Sequence, residues 1–233
     1  VMGIGELDYS HFYPVNILGR GVAVITVTAD SPYATLEQLL DDITARPGEV
    51  KLGATGPGGL PSTVAALVGN VADFDVNSSP FAGEGPGLTA LQGGEVDFMP
   101  AGISAAAEHI RAGRLRALAV VDTEPMALMP DVPPISATLP EIAEFLPWGP
   151  FYGVWVRQDV PDDVKATLVE AYQTAAAAPE FQELMQNRGN VVMNISGDAA
   201  DAFLTQWQQV TVWALQDTGA AQVSPEELGI PRP

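Results

Sequence analysis

Along this chain, short β-branched apolar runs alternate with segments whose apolar residues recur every three or four positions. GVAVITVT (21–28) is a run of the kind that forms a buried strand. In the SPYATLEQLLDDI that comes soon after, Leu36, Leu39, Leu40 and Ile43 fall at i, i+3, i+4 and i+7, one face of a helix. Thr35 precedes that stripe and Gln38 stands three positions on, a capping box that predicts the helix start. VKLGAT then predicts a short strand. The next helix begins near Pro61, where a missing N–H costs nothing, with Val64, Leu67 and Val68 as its stripe.

The alternation continues with a strand around 74–76, a short helix over 88–91 and a strand at VDFM (96–99). A helix over 104–111 and a strand over 115–121 follow. TEPMALMPDVPPISATLPEIAEFLPWGP is rich in proline and predicts an extended loop with at most short helical turns. FYGVWV (151–156) is the next strand. Two amphipathic helices close the chain, one carrying Val164, Leu168 and Tyr172 and the other Phe203, Trp207, Val210 and Ala214. GNVVMNI between them is a short strand.

Strands separated by helices predict an α/β fold, with parallel pairing as the default. The runs at 22–28 and 151–156 bracket the middle of the chain, and both are expected to cross between two lobes. Residues 27–152 then form one lobe, and 1–26 with 153–233 the other. That second lobe has several helices and too few strands to complete a sheet.

Composition narrows the possible partners. Of 233 residues, 47% are hydrophobic and 17% charged, as in a globular chain, and no run approaches the roughly 20 apolar residues of a membrane span. Asp and Glu outnumber Lys and Arg by 29 to 10, a formal charge of -19, which makes nucleic acid an unfavourable partner. The absence of cysteine excludes disulfides, thiol catalysis and thiolate metal ligands.

The chemistry concentrates in glycine-rich turns. GATGPGGLPSTVAAL (53–67) lacks the lysine of a P-loop and the spacing of a dinucleotide fingerprint. It suits an anion held by backbone N–H groups at a helix start, with Thr55, Ser62 and Thr63 adding hydroxyls. Locally, a turn that binds nothing remains the competing reading. SSPFAGEGPG (78–87) has the same architecture, and Phe81 there can either cover a ligand or pack into the core. MPAGIS places Ala101 to Ser104 at a third helix start. Three such turns at one sheet edge would converge on a crevice, the usual ligand position of open α/β sheets. Trp148 lies in a loop beside the second crossing and can line that crevice, whereas Trp207 and Trp213 read as core. His11 and His109 belong to no metal-spaced cluster, Ser62 lacks a nucleophile elbow, and the acidic pairs Asp41–Asp42 and Asp162–Asp163 read as solvated helix positions.

Several phrases in order resemble the tripartite tricarboxylate transporter receptors, also called Bug-type solute-binding proteins. ATLEQLLDDITARPGEVKLGATGPGGLPSTVAA resembles the family's helix, K-P-G-K turn, strand and G-x-G-S-P-S-H loop. SPFAGEGPGLTALQGGEVDFM resembles its P-Y-K-G segment ending in G-G-Q-V-D, and HIRAGRLRALAV its I-K-A-G-K-L-R-A-L-A-V. MPDVPPI, PWGPFYGVWV and AAAAPEFQELMQNRG extend the likeness over nearly the whole chain.

The resemblance implies a type II periplasmic-binding-protein-like fold: a two-lobed Venus flytrap with two hinge strands. Its carboxylated ligand would be delivered to the permease subunits of a membrane transporter. It implies a periplasmic, exported, monomeric protein with no cofactor, no metal and no catalytic residues. Mapped onto this sequence, the ligand contacts are Thr55, Gly58, Gly59, Ser62 and Thr63, then Phe81, Ala82 and Gly83, then Gly102 and Ile103, and Trp148. A periplasmic sensor feeding a signalling system is the alternative role, and an enzyme on this fold a weaker one.

Departures from the family pattern bear on the ligand. Phe81-Ala82 stands for the family's Tyr-Lys, Glu84 adds an acid, Thr63 replaces a histidine, and Pro100-Ala101 stands where an aspartate is frequent. The site is therefore less polar than usual, and an aromatic or aliphatic monocarboxylate competes with di- and tricarboxylates. The family's N-terminal strand–helix–strand unit, whose glycine-rich loop supplies half of the carboxylate site, has no counterpart here. VMGIGELDY resembles a third or later strand, so the sequence is expected to be a fragment.

Overall fold

A computed structural model describes residues 1–3 and 9–233. The expected strand in VMGIGELDY falls largely outside those residues. After a single 3-10 turn at Tyr9–His11, the chain enters two strands almost end to end, β1 (Phe12–Gly21) and β2 (Ala23–Thr28). Three strand–helix units follow: α1 (Leu36–Ala45) with β3 (Lys51–Ala54), α2 (Leu60–Gly69) with β4 (Asn77–Pro80), and α3 (Glu84–Gln92) with β5 (Met99–Gly102). α4 (Ile103–Arg111) and β6 (Leu115–Val120) come next. The proline-rich connection contains only 3-10 turns, at Ile135–Ala137 and Pro140–Phe145. β7 (Phe151–Arg157), α5 (Asp162–Ala176), α6 (Pro179–Asn187), β8 (Asn190–Ile195) and α7 (Asp198–Asp217) complete the chain.

The strands divide between two bodies. β1 lies between β7 and β8 in a wholly antiparallel sheet. β2 lies between β5 and β6, antiparallel to both, while β3 pairs with β4 in parallel and Leu52 bridges in parallel to Phe98, just ahead of β5. The expected parallel pairing thus holds where a helix returns the chain. It fails at β2, which arrives from the other sheet and enters from the opposite direction.

Most helices start and stop where their patterning predicts. Thr35 is the N-cap of α1 and accepts from the Gln38 amide, while the Gln38 side chain accepts from the Ala34 amide at 2.6 Å. Three details differ. The strand expected at 74–76 forms instead at Asn77–Pro80, because Phe74 turns inward to meet Phe98 edge-on, with ring centroids 6.0 Å apart. The pairing edge is left to the exposed NSSP. β5 runs through Pro100 to Gly102, past the expected VDFM, and α3 begins at Glu84, four residues ahead of expectation.

The chain changes sheets at Gly21–Val22 and returns at Gly149–Phe151, and these two passages touch. Gly21 N–H donates to Pro150 O at 2.7 Å, and a Cβ on Gly149 would stand 2.0 Å from Gly21 O. No side chain fits at such a contact. Beside it the buried Arg20 guanidinium donates to Asp122 Oδ2 at 2.7 Å and to Trp148 O at 3.1 Å. Trp148 stacks on Trp207 with centroids 6.4 Å apart, and Trp207 Nε1 donates to Gly149 O at 2.8 Å. α7 straddles this joint. Its Ala200 and Leu204 pack on Ile17 of the first sheet, and its Val210 and Ala214 join the core beneath α2.

Candidate functional site

The parallel pairing of β3 with β4 sets two loops side by side. Ala54 and Pro80 are register partners at the strand ends, and Phe81 N–H continues the ladder to Ala54 O at 2.8 Å. Loop 55–59 leads into α2 and loop 81–83 into α3. β5 ends at the same edge and runs directly into α4 at Gly102. A carboxylate ties the second and third starts together: Glu84, the first residue of α3, accepts from Gly102 N–H at 2.8 Å.

Each of these helices has glycine at its N-cap, Gly59, Gly83 and Gly102, with no side-chain capping bond. Pro61 and Pro86 carry no N–H, so the first-turn amides without an intrahelical partner are those of Leu60 and Ser62 in α2 and of Glu84 and Gly85 in α3, while in α4 the Ile103 amide is taken by Val22 O and the Gly102 amide by Glu84. The first loop needs its glycines. Gly58 adopts φ +72°, and a Cβ on Gly59 would stand 2.2 Å from Thr55 Oγ1. Ser62 Oγ closes the loop by donating to Gly56 O at 2.9 Å.

Of the residues expected to touch ligand, Thr55, Gly58, Gly59 and Ser62 lie together on the first loop and α2 start, with Ala82 and Gly83 on the second. Thr63 turns inward at 1% exposure, its hydroxyl donating to Gly59 O at 3.1 Å. Phe81 divides its surface between the loop and the core around Met99 and Leu88. Ile103 is in that core at 0% exposure, and its N–H is bonded to Val22 O at 2.9 Å. Trp148 is 3% exposed, with its indole N–H donated to Thr211 Oγ1 at 2.9 Å. As placed, it belongs to the joint rather than to the crevice wall.

Across the crevice stands a residue that sequence reasoning passed over. Tyr152 of β7 is 44% exposed, while its strand neighbours Phe151 and Trp155 face the opposite way, toward Phe203 and Trp207. The two-residue alternation in FYGVWV was the available signal. Burial pushes the Tyr152 phenol above its ordinary pKa, and the nearby Glu84 charge adds to this, while a hydrogen bond with Ser104 opposes it. The first sheet thereby reaches the start of α4 in the second.

A separate cavity of about 260 Å³ lies away from this edge, between β1 and α7. Tyr9, Phe12, Pro14 and Leu204 line it together with Trp155, whose buried indole N–H has no partner among the described residues. It contains none of the expected contacts.

Residues 6–212 match the model of the tripartite tricarboxylate transporter family receptor. The chain belongs to that family. A protein encoded in the tcbD–tcbE intergenic region of Pseudomonas sp. (strain P51) is 30% identical over 210 residues, 86% of this chain and 60% of that protein. BugT of Bordetella pertussis is 28% identical over 192 residues, 78% of this chain and 59% of BugT. The chain thus spans about 60% of the length of these curated relatives.

Solved structures share the fold at lower identity. MatC of Rhodopseudomonas palustris, with bound malate, superposes with a TM-score of 0.74 at 22% identity, covering 87% of this chain and 69% of MatC. Rpa4515 of R. palustris, with adipate, gives 0.76 at 19% identity over 94% of this chain and 73% of its own. The periplasmic binding protein BugD gives 0.74 at 21% identity, over 95% and 71%. The family and fold are those of solute-binding receptors. Among the described residues no helix is long and apolar enough to cross a membrane.

Proposed function

We propose that this chain is the ligand-holding part of an extracytoplasmic receptor. It binds a small carboxylate-containing solute between two lobes and delivers it to the membrane permease of a tripartite tricarboxylate-type transporter. The observation that carries this reading is the set of three glycine-started helices, α2, α3 and α4, gathered at one sheet edge and faced by Tyr152 from the other sheet. Backbone N–H groups at helix starts suit a carboxylate, and they supply its partners without adding lysine or arginine to a strongly acidic chain. Malate and adipate in two structural neighbours are ligands of that chemistry.

On this reading Thr55, Gly58, Gly59 and Ser62 form one wall, Phe81, Ala82 and Gly83 the next, and Gly102, whose amide Glu84 holds, a third. Thr63, Ile103 and Trp148 act behind them, fixing the α2 start, the α4 start and the joint. The lobes are, within a few residues, 1–26 with 153–233 and 27–152. They hinge where Gly21 meets Pro150. A ligand favours the closed arrangement only through contacts it makes with both lobes there, and Tyr152, at the boundary between them, approaches it from the first sheet. The role is binding and release in the periplasm, with no bond made or broken.

The test is thermal stabilisation and calorimetry of the full-length protein across mono-, di- and tricarboxylates. The expected result is one-to-one binding, with stabilisation of about 2.7 kcal/mol at a hundredfold excess over Kd. Absence of stabilisation across the whole set, or conversion of a bound carboxylate to product, would overturn the proposal.

A further inference from the structure

The receptor site contains a carboxylate of its own. Glu84 opens α3, and its Oε2 accepts from Gly102 N–H, the amide at the head of α4, at 2.8 Å. A Cβ placed on Gly102 would meet that oxygen at 3.3 Å and Ser104 Oγ at 3.5 Å, so carboxylate, amide and hydroxyl share one small space. Tyr152 approaches the same space from the other sheet, near enough for the Glu84 charge to raise its pKa. The described residues form seven ion pairs, and Glu84 is in none of them.

We propose that Glu84 is a specificity-determining residue. It occupies the donor at the head of α4 with an internal negative charge, so the site accepts a solute carrying one carboxylate and rejects a second carboxylate at the α3–α4 end. The inference rests on the receptor reading above and deepens it. A ligand carboxylate brought to this end would have to displace Glu84 from its amide and stand beside its charge. Like charges brought together in a half-enclosed site are strongly disfavoured. A solute whose far end is an ammonium or a hydroxyl finds in Glu84 an acceptor instead. The other carboxylate stays with the backbone N–H groups at the starts of α2 and α3. Specificity of this kind comes from a repulsive element against the wrong ligand as much as from attraction to the right one.

The experiment compares ligands of matched length on the full-length protein by calorimetry: butanoate, 4-aminobutanoate and succinate, then hexanoate, 6-aminohexanoate and adipate. The wild-type protein is expected to bind the better of the single-carboxylate ligands about tenfold or more tightly than the dicarboxylate of the same length. Glu84→Gln keeps the size and a hydrogen-bonding end group, and is expected to close that gap by strengthening dicarboxylate binding. Glu84→Ala is expected to do the same, with thermal melts verifying that both variants fold. Wild-type preference for the dicarboxylates, or an equal shift of all ligands in both variants, overturns the role of Glu84 while leaving the receptor reading intact. Failure of every ligand in the wild type removes the carboxylate reading and this inference with it.

Discussion

The two sheets of this protein are buried to different depths. In the second, β2 is buried from Ala23 to Val27 and β5 along its whole length, between helices on both faces. In the first, only the central β1 is well covered. No residue of β7 is fully buried, β8 buries only Asn190, and α5 buries only Ala176 in fifteen residues. The fully buried apolar cluster of the first sheet comprises Ile17, Ala200 and Leu204, whereas that of the second runs from α1 through β2 and β3 to α2. The difference separates two ways of holding a sheet: one by a packed interior, the other mainly by its hydrogen-bond ladder and by α7. Opening events should therefore begin in the first sheet, where few apolar contacts oppose them.

The sharpest test removes a ring from the better-packed side. Phe98→Ala, at a residue with no exposure and an edge-on contact with Phe74, is expected to cost about 4 kcal/mol in urea unfolding. A joint substitution comes next. Arg20→Met leaves Asp122 buried without its cation and is expected to cost about 3 kcal/mol, and adding Asp122→Leu should recover most of it. If the double variant is no better than Arg20→Met, the pair matters through Trp148 O rather than through charge. Val154→Ala on β7 is expected to cost about 1 kcal/mol or less, because the side chain is only half-buried. A cost equal to that of Phe98→Ala would erase the contrast between the sheets.

The smallest effect concerns acid. Arg46 first, and then the Tyr33 hydroxyl, hold the Asp42 carboxyl down to about 2, against 3.8 for the ordinary group. A carboxyl lowered in the folded state stabilises it above the ordinary value and loses that contribution as pH falls through about 2. The group lies near the surface, so the contribution is about 0.5 kcal/mol. Urea midpoints measured from pH 5 to pH 2 should therefore fall slightly less in Asp42→Asn than in wild type.

Legibility in the sequence followed how far each element depends on its own residues. α1 could be read because Thr35, Gln38 and the stripe at Leu36, Leu39 and Ile43 are local signals that the packing agrees with. β1 was not read as a strand. FYPVNILGRG carries Pro14, Asn16 and two glycines, and its ladder with β7 is broken by register shifts at Pro14/Asn16 and Ile17/Gly19. Its identity as a strand comes from its partners. β4 was displaced for a related reason, since an exposed edge strand of Asn, Ser and Pro carries no apolar signature. The first two glycine-rich loops stand out in the sequence because glycine and hydroxyl residues cluster there. The burial of Trp148 was not legible because a loop position says nothing about exposure, and Tyr152 was hidden inside a strand read only for its crossing. The Glu84–Gly102 bond spans 18 residues and two helices, a distance no local pattern encodes.

The straddling of the joint by α7 has a mechanical consequence. A helix of twenty residues is about 30 Å long, and this one is rooted in one sheet near its start and in the other near its end. Any rotation of one body against the other loads that rod as a beam fixed at both ends. It must either flex near Trp207, where it passes the stacked Trp148, or slide in one of its sockets. Where α7 flexes rather than slides, the angle between the bodies is written into its curvature, and a spectroscopic probe pair on α7 would read it as a strain gauge.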